Sequence, residues 1–217
     1  MILIVTGGIG SGKSRVCRIL TSQYSCSLYE ADSKAKELYS KYPALLEAIE
    51  KALGGCFRDE TGRFVPQAMA ERIFADPKAI TVVEELLFPY LMTDFLEFMK
   101  TSENIVIFES ATILEKPYFD GFGDKVILVD APYEMRLERA CSRDGSSKEA
   151  VVARMQRQGL MNAFSDGIVS DYPADSRYGR ARERVDEIIM NDSSVHELEM
   201  AVKSAMDRLL AEKFNND

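Results

Sequence analysis

Histidine occurs once, at His196, and the four cysteines, Cys17, Cys26, Cys56 and Cys141, are scattered with no C-x-x-C pair. That scarcity excludes the ligand sets from which zinc sites and disulfide frameworks are built. Three of the cysteines lie in or beside segments that read as helix or strand, so they are expected as buried thiols. Positive charge is in deficit too: 27 Lys and Arg against 35 Asp and Glu leave a formal net charge of -8. Broad binding to nucleic acid or to an anionic membrane does not fit that balance, although a local basic site for phosphates does. No apolar run approaches the roughly 20 residues that a bilayer-spanning helix needs. The first strand begins almost at Met1, which leaves no room for a secretory signal, so the expected location is cytoplasmic.

What is present is an ordinary globular composition, 46% hydrophobic and 29% charged over 217 residues. A chain of this size can bury a core without disulfide support, as one domain with an inserted subdomain or as two small domains. Its organising stretch is Thr6-Gly7-Gly8-Ile9-Gly10-Ser11-Gly12-Lys13-Ser14. Gly7 to Ser14 fit G-x-x-x-x-G-K-[ST], after the apolar strand Ile2-Leu3-Ile4-Val5 and before a helix that takes in Arg15 to Leu20. Glycine lets such a loop turn tightly and bring N–H groups against phosphate oxygens, and the helix N-terminus behind it favours the anion. The backbone of Gly8, Ile9, Gly10, Ser11 and Gly12 is then the cradle for ATP, Lys13 reaches its outer phosphates, and the Ser14 hydroxyl is a ligand for Mg²⁺. The competing reading is a Gly-rich turn that merely joins strand to helix. The complete pattern in its strand–loop–helix setting favours a nucleoside triphosphate.

Ser27-Leu28-Tyr29-Glu30 reads as a second strand, and Ser33 to Leu53 as helical, with Pro43 at a helix start and Gly54-Gly55 as the stop. Asp59-Glu60-Thr61-Gly62 is a turn, Pro66 to Phe74 a helix, and Asp76-Pro77 the cap of a longer one. Residues 33–100 are therefore mostly helical. Asn104 to Glu109 and Lys125 to Asp130 are near-continuous apolar runs, the mark of central parallel strands covered on both faces. Pro132 opens a helix to about Arg143, Ser146-Ser147 caps another to about Gln158, and Gly159 to Gly179 reads as a loop. Arg184 to Met190 is a last strand and Val195 to Phe214 a closing amphipathic helix.

Asp32 stands at the expected C-terminal end of the second strand, as a base for a substrate hydroxyl or as a helix N-cap; spacing does not choose between them. Glu109 and Asp130 end strands at the edge where open α/β sheets place ligands, and either can hold Mg²⁺; for Asp130 a cap of the Pro132 helix is the slightly better reading. Arg136, Arg139, Arg143, Arg154 and Arg157 form the most basic stretch. Arg139 and Arg143 share a helix face and suit a phosphate clamp, against a solvated face paired with Glu134, Glu138 and Asp144.

Together these motifs resemble the dephospho-CoA kinase family over most of the chain. The loop is close to the family's form, and Ala31-Asp32-Ser33-Lys34-Ala35-Lys36-Glu37-Leu38 is similar to its aspartate motif. Glu71-Arg72-Ile73-Phe74 resembles the end of its substrate-subdomain signature. Val126 to Pro132, Leu137-Glu138-Arg139 and Arg143-Asp144-Gly145 look like its strand and lid, Arg154 and Gln158 its lid helix, and Ile188 to Asp192 its late asparagine motif. The resemblance implies Asp32 as base, Arg139 and Arg143 as catalytic arginines, and Arg143 and Asn191 among the ATP contacts. Most of the departures fall on the acceptor side; they are Phe88-Pro89 for a usual His-Pro, Ser110-Ala111-Thr112-Ile113 for Val-Pro-Leu-Leu, Lys36 and Pro66 for arginines, Arg136 for a glutamine, and a long 159–179 segment.

The expected fold is α/β: a P-loop NTPase fold with a five-stranded, mostly parallel sheet, helices on both faces, an inserted helical substrate subdomain and a lid. The expected division is a nucleotide-binding core of residues 1–32, 101–138 and 180–217, a substrate subdomain of 33–100 and a lid of 139–179. The expected activity is ATP-dependent phosphorylation of the ribose 3′-hydroxyl of dephospho-CoA, with Lys13, Asp32, Arg139 and Arg143 catalytic, and Ser14 and Glu109 at Mg²⁺. Two other readings stand beside it, a kinase for another small hydroxyl acceptor and a nucleotide-binding paralogue without catalysis. Expected partners are ATP and dephospho-CoA, with no nucleic acid and no membrane, in a monomer or weak homo-oligomer.

Overall fold

The computed structural model describes residues 1–159, Phe164 and residues 177–214. Five strands form one sheet: β1 (Ile2–Thr6), β2 (Cys26–Glu30), β3 (Ile105–Glu109), β4 (Lys125–Asp130) and β5 (Glu187–Met190), in the order β2-β3-β1-β4-β5. β1 pairs in parallel with β3 and with β4, and β4 with β5. The continuous apolar runs of β1, β3 and β4 are buried, which is why they occupy the middle. Asp186 fastens the last strand: its carboxylate accepts from the Val126 N–H at 2.8 Å and from Lys125 Nζ at 3.0 Å.

The chain divides into two compact units, one of Met1–Leu28 with Ser102–Asp217, the other of Tyr29–Thr101. In the first, α1 (Lys13–Gln23) and α9 (Val195–Phe214) share a core with the sheet, formed by Leu3, Val5, Val16, Leu20, Ile107, Ile127, Ile189, Val202 and Met206. The 3.6-residue recurrence of Leu198, Val202, Ala205 and Leu209 gives α9 its buried stripe. A smaller cluster lies between α6 (Tyr133–Asp144) and α7 (Lys148–Gln156), where Leu137, Ala140, Val151 and Met155 are buried with Ile9 against them. The unit also holds α8 (Arg177–Glu183).

The second unit contains α2 (Ala31–Lys41), α3 (Pro43–Leu53), α4 (Pro66–Ala75) and α5 (Pro77–Met99). Leu38, Leu45, Ile49, Val83 and Phe95 form its interior. Tyr29 adds its ring edge-on to Phe95 at 5.1 Å and donates its hydroxyl to Asp94 at 3.0 Å. Burial, with the Asp94 carboxylate second, pushes that phenol far above its ordinary value.

Several boundaries differ from the sequence reading. The helical stretch 33–53 is broken at Tyr42, which is extended, because a residue before proline is pushed out of the α region. α2 begins at Ala31, so Asp32 lies within its first turn and is not the N-cap. α6 begins after Pro132, and Asp130 is three residues before Tyr133, too far back to cap it. Arg177 to Gly179, read as loop, are helical, and the strand read from Arg184 starts at Glu187. The remainder of the 160–176 loop reading, apart from Phe164, lies outside the described residues. Among the described residues no helix is long and apolar enough to cross a membrane.

Proline at N1 and a side-chain cap define the start of α5: Asp76 accepts from the Lys78 N–H at 2.9 Å. Asp76→Ala will lower the stability of the helical unit by about 1 kcal/mol, read as an earlier urea midpoint.

Candidate active site

Between β1 and α1 the chain turns through Gly7, Gly10 and Gly12, at φ 150, 78 and 99 degrees. The last two lie in the left-handed region that side chains resist. Space forbids side chains as well. A Cβ on Gly7 would lie 2.1 Å from the Val129 carbonyl oxygen, and one on Gly12 2.0 Å from Asn191 Nδ2.

A loop with this turn directs its carbonyls into the protein, and each of those seen here has a donor. Lys13 Nζ donates to Gly7 O at 2.9 Å, the Ser11 N–H to Gly8 O at 3.2 Å, and Arg136 Nε to Ile9 O at 3.1 Å. Asn191 Nδ2 donates to Ser11 O at 2.8 Å and the Arg15 N–H to Gly12 O at 2.9 Å. Gly12 stands at the N-cap of α1 without a side chain to satisfy the amides that follow, the arrangement in which an anion serves as the cap. Ser11 Oγ is buried and has no hydrogen-bond partner among the described residues.

Charge is placed around the loop in layers. Lys13 Nζ lies 3.7 Å from Glu109 at the end of β3, with both side chains largely buried. Asp130, at the end of β4, accepts from the Ala131 N–H at 2.8 Å and lies 3.6 Å from Arg136 Nη1. Arg136 has no exposed surface. In sequence it was one of five arginines and a departure from a usual glutamine; its place follows from helical period, which sets it on the same side as Tyr133, Leu137 and Ala140. The solvated-face reading of the basic stretch therefore fails for Arg136.

Arg139 and Arg143, expected as a pair, have different partners. Arg139 Nη1 donates to Asn191 O at 2.8 Å, and Asn191 in turn supports the loop, so its buried amide is engaged with Ser11. Arg143 is exposed and bonds Asp144 through Nε at 2.6 Å, and Arg154 Nη2 holds the same carboxylate at 2.7 Å. Ser14 is exposed at the start of α1, and Asp32 is exposed on the first turn of α2 in the other unit. Gln158, read from sequence only as part of a lid helix, is buried and accepts from the Ile9 N–H at 2.8 Å. For both, the sequence signal was family position alone, Arg136 at a usual glutamine and Gln158 in the lid helix, and it did not point to the loop.

The Asp144 carboxyl is held well below the usual carboxylate range, first by the Arg143 hydrogen bond and then by that of Arg154. Its folded value is below its unfolded one, so its contribution is present above about pH 4 and is lost as pH falls further. Arg143→Ala will move the Asp144 value back up toward the ordinary one, measured by carbon-detected pH titration.

The sequence model of the family described as dephospho-CoA kinase matches residues 1–163. A dephospho-CoA kinase of Porphyromonas gingivalis is 35% identical over 173 residues, covering 78% of this chain and 85% of that protein. One from Chlorobaculum tepidum is 31% identical over 217 residues, covering 97% and 95%. The crystal structure of a Thermus thermophilus protein superposes with a TM-score of 0.73 at 26% identity, over 96% of this chain and 97% of that one.

Proposed function

The chain belongs to the dephospho-CoA kinase family, and from that membership we propose how its residues perform the reaction. The γ-phosphoryl group of ATP passes to the ribose 3′-hydroxyl of dephospho-CoA, giving CoA and ADP, the last step of coenzyme A synthesis. The hydroxyl oxygen forms the new bond to phosphorus as the bond to the β-phosphate oxygen breaks, and the hydroxyl proton goes to a base.

The observation that carries the ATP half is the glycine loop, whose carbonyls are tied back into the protein and whose Gly7, Gly8, Gly10 and Gly12 leave no room for a Cβ against Val129, Arg136 and Asn191 behind it. The loop backbone receives the phosphates through amides other than those of Ile9 and Ser11, which are given to Gln158 and Gly8, and Lys13 neutralises charge that develops as the bond breaks. Magnesium, when bound, would supply further neutralisation of the phosphate charge. The Ser14 hydroxyl and the Glu109 carboxylate are the oxygen donors that would hold it, a set suited to a hard cation.

Asp32 takes the hydroxyl proton in this reading; its support is the match of the Asp32 segment to the family's aspartate motif and its exposed carboxylate. Arg143 exchanges Asp144 for phosphate, and Arg139 stabilises transferring charge while tied to Asn191. Residues 33–100 serve as the acceptor subdomain and 139–179 as the lid that excludes water.

Purified protein given ATP, Mg²⁺ and dephospho-CoA will produce CoA, seen by mass spectrometry together with ADP release. ATP binding without CoA would overturn the acceptor assignment. Lys13→Ala will reduce turnover by about 100-fold or more, and Asp32→Asn by a comparable factor with ADP affinity retained.

A further inference from the structure

We propose that Arg136 and Gln158 are positioning residues that hold the phosphate loop ready for its anion by gripping one residue, Ile9. Gln158 Oε1 accepts from the Ile9 N–H at 2.8 Å, and Arg136 Nε donates to the Ile9 carbonyl at 3.1 Å. The Ile9 side chain packs on the cluster of Leu137, Ala140, Val151 and Met155. The N–H, carbonyl and side chain of Ile9 are thus all committed to α6, α7 and the residues just beyond α7.

The neighbours of Ile9 are shaped to the same residue, Gly8 to the guanidinium and Gly10 to the backbone of Arg136. A Cβ on Gly8 would lie 2.1 Å from Arg136 Nη2, and one on Gly10 2.0 Å from the Arg136 carbonyl oxygen. Gly10 needs glycine for its positive φ, but Gly8 does not. At Gly8 it is Arg136 that excludes a side chain. Arg136 itself cannot withdraw to solvent: it has no exposed surface and lies 3.6 Å from Asp130. Gln158 is 6% exposed and is fixed by its own N–H to Met155 O at 2.9 Å. Both grips come from rigid, buried side chains, the condition under which a binding loop is organised before its ligand arrives.

The turnover part of the test rests on the kinase reading, whereas the nucleotide-binding part needs no acceptor. Calorimetric titration with MgADP and steady-state kinetics with ATP and dephospho-CoA are run on the full chain. Gln158→Leu will weaken MgADP binding about tenfold and raise the KM for ATP by a similar factor, with the KM for dephospho-CoA within about twofold of wild type. Gly8→Ala will weaken MgADP binding at least about tenfold, and the same substitution will cost less than about threefold in an Arg136→Gln background, where the shorter side chain clears the added methyl. Unchanged or tighter MgADP binding in Gln158→Leu overturns the grip on the Ile9 N–H. An equal cost of Gly8→Ala in both backgrounds overturns the role of Arg136. Where Gln158→Leu does not fold, the Gly8–Arg136 cycle decides. Wild-type protein that binds MgADP and makes no CoA defeats the acceptor assignment alone.

Discussion

A loop that turns its amides toward an anion must send its carbonyls into the protein, and each buried carbonyl needs a donor. Much of the larger unit is arranged around that requirement. Lys13, Arg136 and Asn191 each give one side-chain donor to a carbonyl of the loop, at Gly7, Ile9 and Ser11. The three donors come from the start of α1, the first turn of α6 and the residue after β5. Parallel pairing of β1, β4 and β5 makes this convergence possible, because it puts the chain after each of those strands at one edge of the sheet.

Two of those donors belong to cations in an acidic chain, and burial sets the terms on which they are tolerated. Lys13 is opposed by Glu109, and Arg136 by Asp130. Removing one partner of such a pair leaves an uncompensated charge, a loss of about 3–5 kcal/mol in comparable cases. The strand-end carboxylates therefore have a structural duty at the same edge where a phosphate-transfer enzyme needs negative charge for its metal. Glu109 serves the structural duty through Lys13. Asp130, already bonded to the Ala131 N–H and facing Arg136, is committed to the same duty.

The arginines of α6 divide according to depth. Arg136 is buried against the loop, Arg139 reaches the Asn191 carbonyl, and Arg143 is exposed and held by Asp144. One residue per turn or so carries the series from a fixed scaffold contact to a surface ion pair of low intrinsic cost to break. A side chain that must release its partner to meet a substrate belongs at the exposed end, and one that must never move belongs at the buried end.

Local pattern was sufficient for the loop, the five strands, the proline-led helices and the closing helix, because each depends on neighbours in sequence: apolar period, glycine torsion, proline at a helix start. The family could be named from the same short-range motifs. The favoured reading of Asp130 as a cap of α6 was misjudged, and the alternatives of Asp32 as an N-cap and Arg136 on a solvated face fall away, since each depends on where a helix begins or which way it faces. The contacts of Arg136 and Gln158 with Ile9 span 127 and 149 residues of chain. No spacing rule reaches that far. Residue types and their order determined that a phosphate loop would form between β1 and α1; only the packing of α6 and α7 beside it decided which side chains hold its backbone, because a hydrogen bond to a carbonyl is made by whichever donor the fold brings within about 3 Å.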